Sequence, residues 1–382
     1  MSSFKQKQKQ KQILFVSNTA FSICNFRFGI LERLVADGYK VITVGPKDLY
    51  SAKLAAMGCE VIDLPMAAKG VNPREDLFLM GQLRRLYKTI KPDFIFHFTI
   101  KPNIYGSLAA RLAGIPSIAV TTGLGYTFIQ NNWVARVARL LYKAAFSSPK
   151  EVWFLNEDDR QTFLRHRLVT PDKAVLLHGE GVNTTHFCPQ PAPLADGKTR
   201  FLLVARMLWD KGVGEYVEAA RQVLKQYPGA VFQLLGECGV PNPSEMTRVQ
   251  MAEWEREGII QYLGTTTDVR PYLAQVDCVV LPSYREGVPR TMLEAAAMEK
   301  PLIATDAPGC RDVVVNGKTG WLCPVKDATA LAGCMVQLLD MPAADRLTMG
   351  RAGRRYIVNN FDEKKVVAHY LTTLARYGIG KQ

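Results

Sequence analysis

Short runs of β-branched and aromatic residues, mostly apolar on both faces, recur along the chain at 13–17, 40–45, 60–64, 93–98, 117–122, 151–156 and 174–179. Between them lie stretches with apolar residues at helical spacing, such as 28–37 and 77–90. A strand that is hydrophobic on both faces must be covered on both, and strands alternating with helices predict a parallel sheet built from βαβ units. Residues 186–199, with Pro189, Pro191 and Pro193 among turn formers, break the pattern as a linker does. A second series follows at 200–205, 230–236, 259–264, 277–283, 302–306 and 320–324, with a last helix expected near 363–377. The pattern predicts an α/β chain of two Rossmann-like halves, at 13–185 and 200–360. A basic tail at 1–12 is expected to be disordered, and the segment 361–382 to pack back on the first half. In open α/β sheets the ligand lies beyond the carboxyl ends of the strands, so two such domains facing across a cleft can each hold one substrate.

The chain has 382 residues, 48% hydrophobic and 22% charged, an ordinary globular mixture that excludes general disorder. No apolar run approaches the about 18 residues needed to cross a bilayer. The lysine-rich start runs into too short an apolar stretch for a signal peptide, so a cytoplasmic location is expected. The eight cysteines show no C-x-x-C pair and are read as free thiols. Charge is unevenly placed: residues 1–199 hold 26 Lys+Arg against 15 Asp+Glu, and the remainder holds 22 against 20. A basic first half suits a polyanionic partner, whether membrane surface, diphosphate or nucleic acid.

The most informative stretch runs from Leu281 to Met298, where Glu286 and Glu294 stand eight apart with Gly287 and Pro289 between them. It reads as a strand end, a glycine turn and a helix that proline can start. Free N–H groups at the helix start accept a phosphate, whereas a carboxylate on the flank accepts hydrogen bonds from a sugar diol. The bland alternative is a capped helix with solvent-facing glutamates.

The pattern P-S-x-x-E-G-x-P-x-x-x-x-E-A resembles the signature of the retaining glycosyltransferases of family 4, which have the GT-B fold. Further matches are Gly181–Phe187, Val204–Gly212, Leu235-Gly236, Tyr262-Leu-Gly264 and Ala307–Asp312, in register along nearly the whole chain. The resemblance implies that Arg206 and Lys211 grip the donor diphosphate, that Glu294 holds the ribose and that Glu286 holds the transferred hexose. Gly287, Val288, Pro289, Arg290, Gly236 and Gly264 are implied as further donor contacts, although Pro289 has no N–H to give. Fixed cations suit a diphosphate leaving group, which gains negative charge in the transition state. The chain contains no D-x-D, and hard divalent ions need clustered oxygen ligands, so a metal-independent reaction with no cofactor is expected.

The first half departs from the family pattern. A glycine pair common after the first strand is replaced by Ser17–Arg27, and Thr122 stands where many relatives carry a histidine. His97 is an imperfect substitute, since a lone histidine is more often scaffold than catalytic. The N-x-F-R, T-x-K-P-N-x-Y-G and T-G-L-G motifs resemble enzymes that extend polyprenyl-diphosphate-linked glycans, which implies Asn25, Arg27, Lys101, Asn103, Thr122 and Gly123 as acceptor contacts. Residues 133–146 gather Trp133, Val134, Val137, Leu140, Leu141 and Ala144 on one side and Arg136, Arg139 and Lys143 on another. Such a helix lies on an anionic bilayer or packs its apolar face on the sheet.

These readings make the chain a retaining glycosyltransferase moving a hexose, an N-acetylhexosamine or related sugar, from a UDP-sugar to a polyprenyl-diphosphate-linked saccharide, peripheral on the inner face of the membrane. The alternative is a nucleotide-sugar 2-epimerase of similar two-domain shape. A binding protein with a decayed site is disfavoured by the retained Arg206, Lys211, Glu286 and Glu294. A nucleic-acid binder leaves the two glutamates without a use, and for NAD chemistry Gly123-x-Gly125 lacks a third glycine.

Overall fold

The computed structural model describes residues 10–67, 72–124, 133–191, 196–239, 242 and 244–380. Most of the basic tail, linker residues 192–195, Gly125 and the side chains of Trp133 and Val134 therefore lie outside the described residues. Two units divide the chain, one made of the residues up to Glu180 with those from Lys364 on, the other of Gly181–Glu363.

The first unit contains β1 (Gln12–Val16), β2 (Lys40–Gly45), β3 (Glu60–Asp63), β4 (Phe94–Phe98), β5 (Ser117–Thr121), β6 (Glu151–Phe154) and β7 (Ala174–Leu176). Its helices are α1 (Ala20–Ala36), α2 (Ser51–Ala56), α3 (Pro73–Ile90), α4 (Ser107–Ala113), α5 (Trp133–Phe146) and α6 (Glu157–Arg165). The strands pair in parallel in the order β3-β2-β1-β4-β5-β6-β7. Alternate residues supply two separate cores. Leu14, Val16 and Ile95 pack with Leu79, Leu83 and Tyr87 of α3 on one face.

The opposite face is covered from the other end of the sequence. The ring of Tyr370 lies against Phe15, Phe96 and Trp153, at centroid distances of 6.3, 4.8 and 4.8 Å. Arg376 and Tyr377 then close on the buried carboxylate of Glu151, at 2.7 and 2.9 Å.

In the second unit the strands are β8 (Arg200–Val204), β9 (Val231–Leu235), β10 (Gln261–Tyr262), β11 (Cys278–Leu281), β12 (Leu302–Thr305) and β13 (Gly320–Cys323). Around them lie α7 (Val213–Leu224), α8 (Arg248–Arg256), α9 (Arg270–Ala274), α10 (Arg290–Ala297), α11 (Ala328–Asp340) and α12 (Ala343–Phe361). Tyr370 and Arg376 belong to the terminal helix α13 (Glu363–Arg376). The strand order is β10-β9-β8-β11-β12-β13, again parallel.

In both units the strand order reverses beside the first strand, between β1 and β4 and between β8 and β11. Connections leave such a point toward opposite faces of the sheet, and the opening this creates at the carboxyl ends is where doubly wound folds bind ligands.

Two helices begin earlier than their apolar periodicity predicts, each for a capping reason. Thr19 accepts the N–H of Ser22 at 3.0 Å and starts α1 at Ala20. Asn72 accepts the N–H of Arg74 and Pro73 opens α3.

Candidate active site

At the carboxyl end of β8 the backbone is held by close main-chain contact. The N–H of Gly236 donates to the carbonyl of Gly264 at 2.8 Å, and that of Ala205 to Leu235 at 3.1 Å. A Cβ on Gly236 would overlap the carbonyl oxygen of Ala205, so no side chain fits there. The two implied glycines therefore shape the β8, β9 and β10 ends around Arg206. That arginine is exposed, and its guanidinium has no hydrogen-bond or ion-pair partner among the described residues.

Lys211 closes a single 3₁₀ turn, Trp209–Lys211, and Gly212 follows with φ 72°. A Cβ on Gly212 would overlap the carbonyl of Pro282, so α7 starts against the end of β11. The carbonyl of Asp210 accepts from Ser283 Oγ at 3.1 Å and from the N–H of Tyr284 at 3.0 Å. This register brings Lys211 Nζ into an ion pair with Glu286 Oε1, with one side chain 20% and the other 15% exposed. From the other side the N–H of Glu286 donates to the carbonyl of Pro308 at 3.0 Å. Two side chains 75 residues apart in sequence are thus fixed at one strand end.

Glu294 lies on α10 and is 7% exposed, which overturns the solvent-facing alternative. Burial pushes its carboxyl above the ordinary range, and Arg290, one turn earlier, opposes this by donating Nε–H to Oε1 at 2.9 Å. Pro289 is the residue before the helix rather than its first member: its backbone is extended, φ −73° and ψ 110°, and α10 starts at Arg290. Gly287 and Val288 lie half-buried in the loop that carries Glu286.

The opening of the first unit is a cavity of about 210 Å³ lined by Asn18, Thr99, Lys101, Asn103, Thr122 and Gly123, with apolar walls from Ile100, Leu124, Tyr142 and Phe163. Four implied acceptor residues, Lys101, Asn103, Thr122 and Gly123, are therefore brought together. Asn25 and Arg27 are not among the lining residues.

Arg27 lies in the packed interior of the first unit. Because α1 begins at Ala20, the N-x-F-R motif falls inside that helix, and Arg27 is 2% exposed. Its guanidinium pairs with Glu180, donates to the Ser22 carbonyl at 2.8 Å and stacks 4.1 Å over the Phe98 ring. Asn25 is half-buried on the same helix.

His97 also lies in the packed interior. It is fully buried, its Nε2 meets the Tyr87 hydroxyl at 2.9 Å, and burial pushes its pKa down to about 3.

Asp76 was missed by sequence reasoning. It binds Lys101 Nζ at 2.8 Å and the Tyr105 hydroxyl at 2.9 Å. The signal was a carboxylate on the buried stripe of α3, Asp76, Leu79, Leu83 and Tyr87, which an onset at 77 leaves out.

Helix α5 does not bury its whole apolar side. Val137 and Leu140 are 42% and 69% exposed beside exposed Arg136 and Lys143, while Ala135, Tyr142, Ala145 and Phe146 face inward. A second cavity, about 310 Å³ between Glu299 and Arg351, Arg354 and Arg355, is distant from the strand carboxyl ends, and Arg354 is spent on the carbonyls of Phe187, Ala297 and Thr184.

Residues 198–341 match the family model described as glycosyl transferases group 1, and residues 12–156 match glycosyl transferase 4-like. The chain is similar, 30% identical over 94% of its length and 97% of the relative's, to N,N'-diacetylbacillosaminyl-diphospho-undecaprenol alpha-1,3-N-acetylgalactosaminyltransferase of Campylobacter jejuni. It is 25% identical, over 80% of each chain, to the Escherichia coli UDP-Gal:alpha-D-GlcNAc-diphosphoundecaprenol alpha-1,3-galactosyltransferase. Its fold is similar to that of an Anabaena protein solved in complex with UDP, with a TM-score of 0.79 and 16% identity over 96% of this chain and all of that one.

Proposed function

The chain belongs to the group 1 glycosyltransferases, the retaining hexosyltransferase family 4 with the GT-B fold and nucleotide-sugar donors, and from that premise we propose which sugar it moves and where. The transferred group is a hexose, an N-acetylhexosamine or related sugar, taken from a UDP-sugar bound by the second unit. The acceptor is a polyprenyl-diphosphate-linked saccharide bound by the first unit, and the product is a surface or glycoprotein glycan intermediate.

The observation that carries this reading is the β8–β11 end, where Arg206, unpartnered among the described residues, and the Lys211–Glu286 pair precede buried Glu294 with Arg290 on α10. As the bond from the hexose to the diphosphate breaks, about one extra negative charge develops on the leaving oxygen. Arg206 and Lys211 supply fixed positive charge for it, and such charge stabilises the transition state more than the ground state. Glu286, held by Lys211, receives the hexose hydroxyls, and Glu294 receives the ribose. The acceptor hydroxyl attacks on the face the diphosphate leaves, its proton passing to the leaving oxygen, so that no side chain acts as general base. The cations take the place of a divalent ion, and activity is expected to survive excess EDTA.

The named acceptors of the two bacterial relatives are undecaprenyl-linked, and this supports a lipid-borne acceptor here. Among the described residues no helix is long and apolar enough to cross a membrane. Val137 and Leu140, exposed beside Arg136 and Lys143, instead give α5 a surface that lies in an anionic interface.

The test is nucleotide release across a panel of UDP- and GDP-sugars, with a membrane extract as acceptor, followed by extraction of the labelled lipid. Use of a UDP-sugar with label in the lipid fraction is expected. Turnover with GDP-sugars alone, or label that never reaches lipid, overturns the corresponding half of the reading.

A further inference from the structure

The cavity of the first unit contains an unused hydrogen-bonding group. Asn103 is 1% exposed, and its Nδ2 donates to the carbonyl of Val120 at 2.9 Å. That bond fixes the amide's orientation, since turning it over would set two carbonyl oxygens together. Asn103 Oδ1 is then left with no hydrogen-bond partner among the described residues. Native proteins rarely leave a buried acceptor in this state, and the exceptions call for an explanation such as a ligand or water that completes it. The segment holding it, Pro102–Gly106, is a π-helical turn, an uncommon form that often marks functional sites.

The rest of the cavity restricts what that ligand can be. Lys101 lines it, but its ammonium is neutralised by Asp76 at 2.8 Å, with both side chains at or below 10% exposure. That pair is more deeply buried than Lys211 with Glu286, whose side chains keep 20% and 15% exposure, so it leaves less positive charge within reach of a phosphate. An ammonium would be buried here without a free carboxylate, because Asp76 is already engaged by Lys101 and Tyr105. A lone hydroxyl would satisfy Asn103 Oδ1 yet bring no apolar group to the wall formed by Ile100, Leu124, Tyr142 and Phe163. A neutral group with one N–H donor beside a methyl matches both features.

We propose that this cavity receives the acetamido group of an N-acetylated sugar in the acceptor, with Asn103 Oδ1 accepting its N–H and Ile100, Leu124, Tyr142 and Phe163 enclosing its methyl. This rests on the acceptor reading above and makes Asn103 a specificity-determining residue. A site built to accept a ligand's N–H discriminates strongly against an analogue that lacks it, because the buried acceptor is again left unpaired.

The test is calorimetric titration of the whole protein with two short-chain prenyl-diphosphate hexoses that differ only at C2, acetamido in one and acetoxy, of the same shape and with the same methyl but no N–H donor, in the other. The acetamido compound is expected to bind at least roughly tenfold more tightly, the scale of losing one hydrogen bond to a buried group. Asn103→Ala should remove that preference by weakening the acetamido compound alone, with UDP affinity unchanged. Equal wild-type affinities, a preference that survives in the variant, or equal weakening of both compounds overturns the proposal. If the variant does not fold, the wild-type comparison still decides, and saturation-transfer NMR supplies a second readout. The acetamido methyl should receive more saturation from protein aromatic protons than the sugar ring does, and the reverse overturns the assignment. Binding preference without any sugar transfer would overturn the proposed reaction and leave this site standing.

Discussion

The β8–β11 end of the second unit and the β1–β4 end of the first are topologically equivalent, yet they are assembled differently. In the second unit backbone meets backbone: Gly236 against Ala205, Gly212 against Pro282, and the Asp210 carbonyl against Tyr284. In the first unit side chains do the holding: Asp76 with Lys101, Arg27 with Glu180, Tyr87 with His97, and Gly106 pressed on the His97 ring. On the proposed roles, the difference teaches that a site for a fixed chemical group, the nucleotide diphosphate, can be built from glycines and short motifs. A site for a variable acceptor, the role proposed for the first unit, is built from side chains that can change. Most of the large exposed apolar residues, including Leu77, Phe78, Val137 and Leu140, also belong to the first unit.

If the second unit carries the charge stabilisation, Arg206→Ala and Lys211→Ala should each lower turnover by roughly 10²–10³, the range for losing one donor to developing charge. Thermal unfolding should separate them. Arg206 has no partner to lose among the described residues, whereas Lys211→Ala removes an ion pair from the half-buried Glu286 and lowers the unfolding midpoint as well. Near-wild-type steady-state rates in both variants would break the comparison at its strongest point.

The exposed surface of α5 is the next lever. Each Lys or Arg at an anionic leaflet contributes on the order of 1 kcal/mol. Changing Arg136, Arg139 and Lys143 together to Glu should therefore abolish most co-sedimentation with phosphatidylglycerol vesicles and slow transfer to a long-chain lipid acceptor, while sparing a soluble one. Unchanged sedimentation would make α5 plain scaffold.

Acid should weaken the first unit before the second. His97 is held neutral by burial, at a pKa of about 3, against about 6.5 in an unfolded chain. The unfolded state thus takes up a proton first as the pH falls. Stability is lost below pH 6.5 at about 1.4 kcal/mol per unit, or about 2 kcal/mol by pH 5, and the loss levels off only near pH 3. Burial lowers the pKa of His369 in the same unit and adds to the effect. Hydrogen exchange at pH 6.5 and pH 5, followed separately in the two sheets, should show protection falling in the first while the second is steadier. Equal losses would remove this distinction.

The smallest expected effect divides the two glutamates. Glu294→Gln should weaken binding of free UDP roughly tenfold, the scale of one hydrogen bond to a charged group, because ribose is present in UDP. Glu286→Gln should leave UDP affinity near wild type and reduce turnover, because UDP has no hexose. Calorimetric titration of UDP into both variants measures this, and equal losses would mean that the roles are not separate.

Local pattern determined the strands, their parallel pairing and the candidate residues of the second unit, because each depends on neighbours in sequence. Apolar runs fix which segments must be covered on both faces, and P-S-x-x-E-G-x-P-x-x-x-x-E-A places Glu286 and Glu294 on one loop and one helix by spacing alone. Tertiary structure decided what no spacing encodes. Arg27 is buried because Thr19 starts its helix early and Glu180, 153 residues away, waits to pair with it. Lys101 gives less charge to its cavity because Asp76 lies on the facing helix. Among the described residues Asn103 keeps an unpaired oxygen because Val120, on the adjacent strand, takes its amide nitrogen. The charge and hydrogen-bonding capacity that a side chain has left for a ligand is what remains after its tertiary partners are satisfied, and those partners are chosen by the fold.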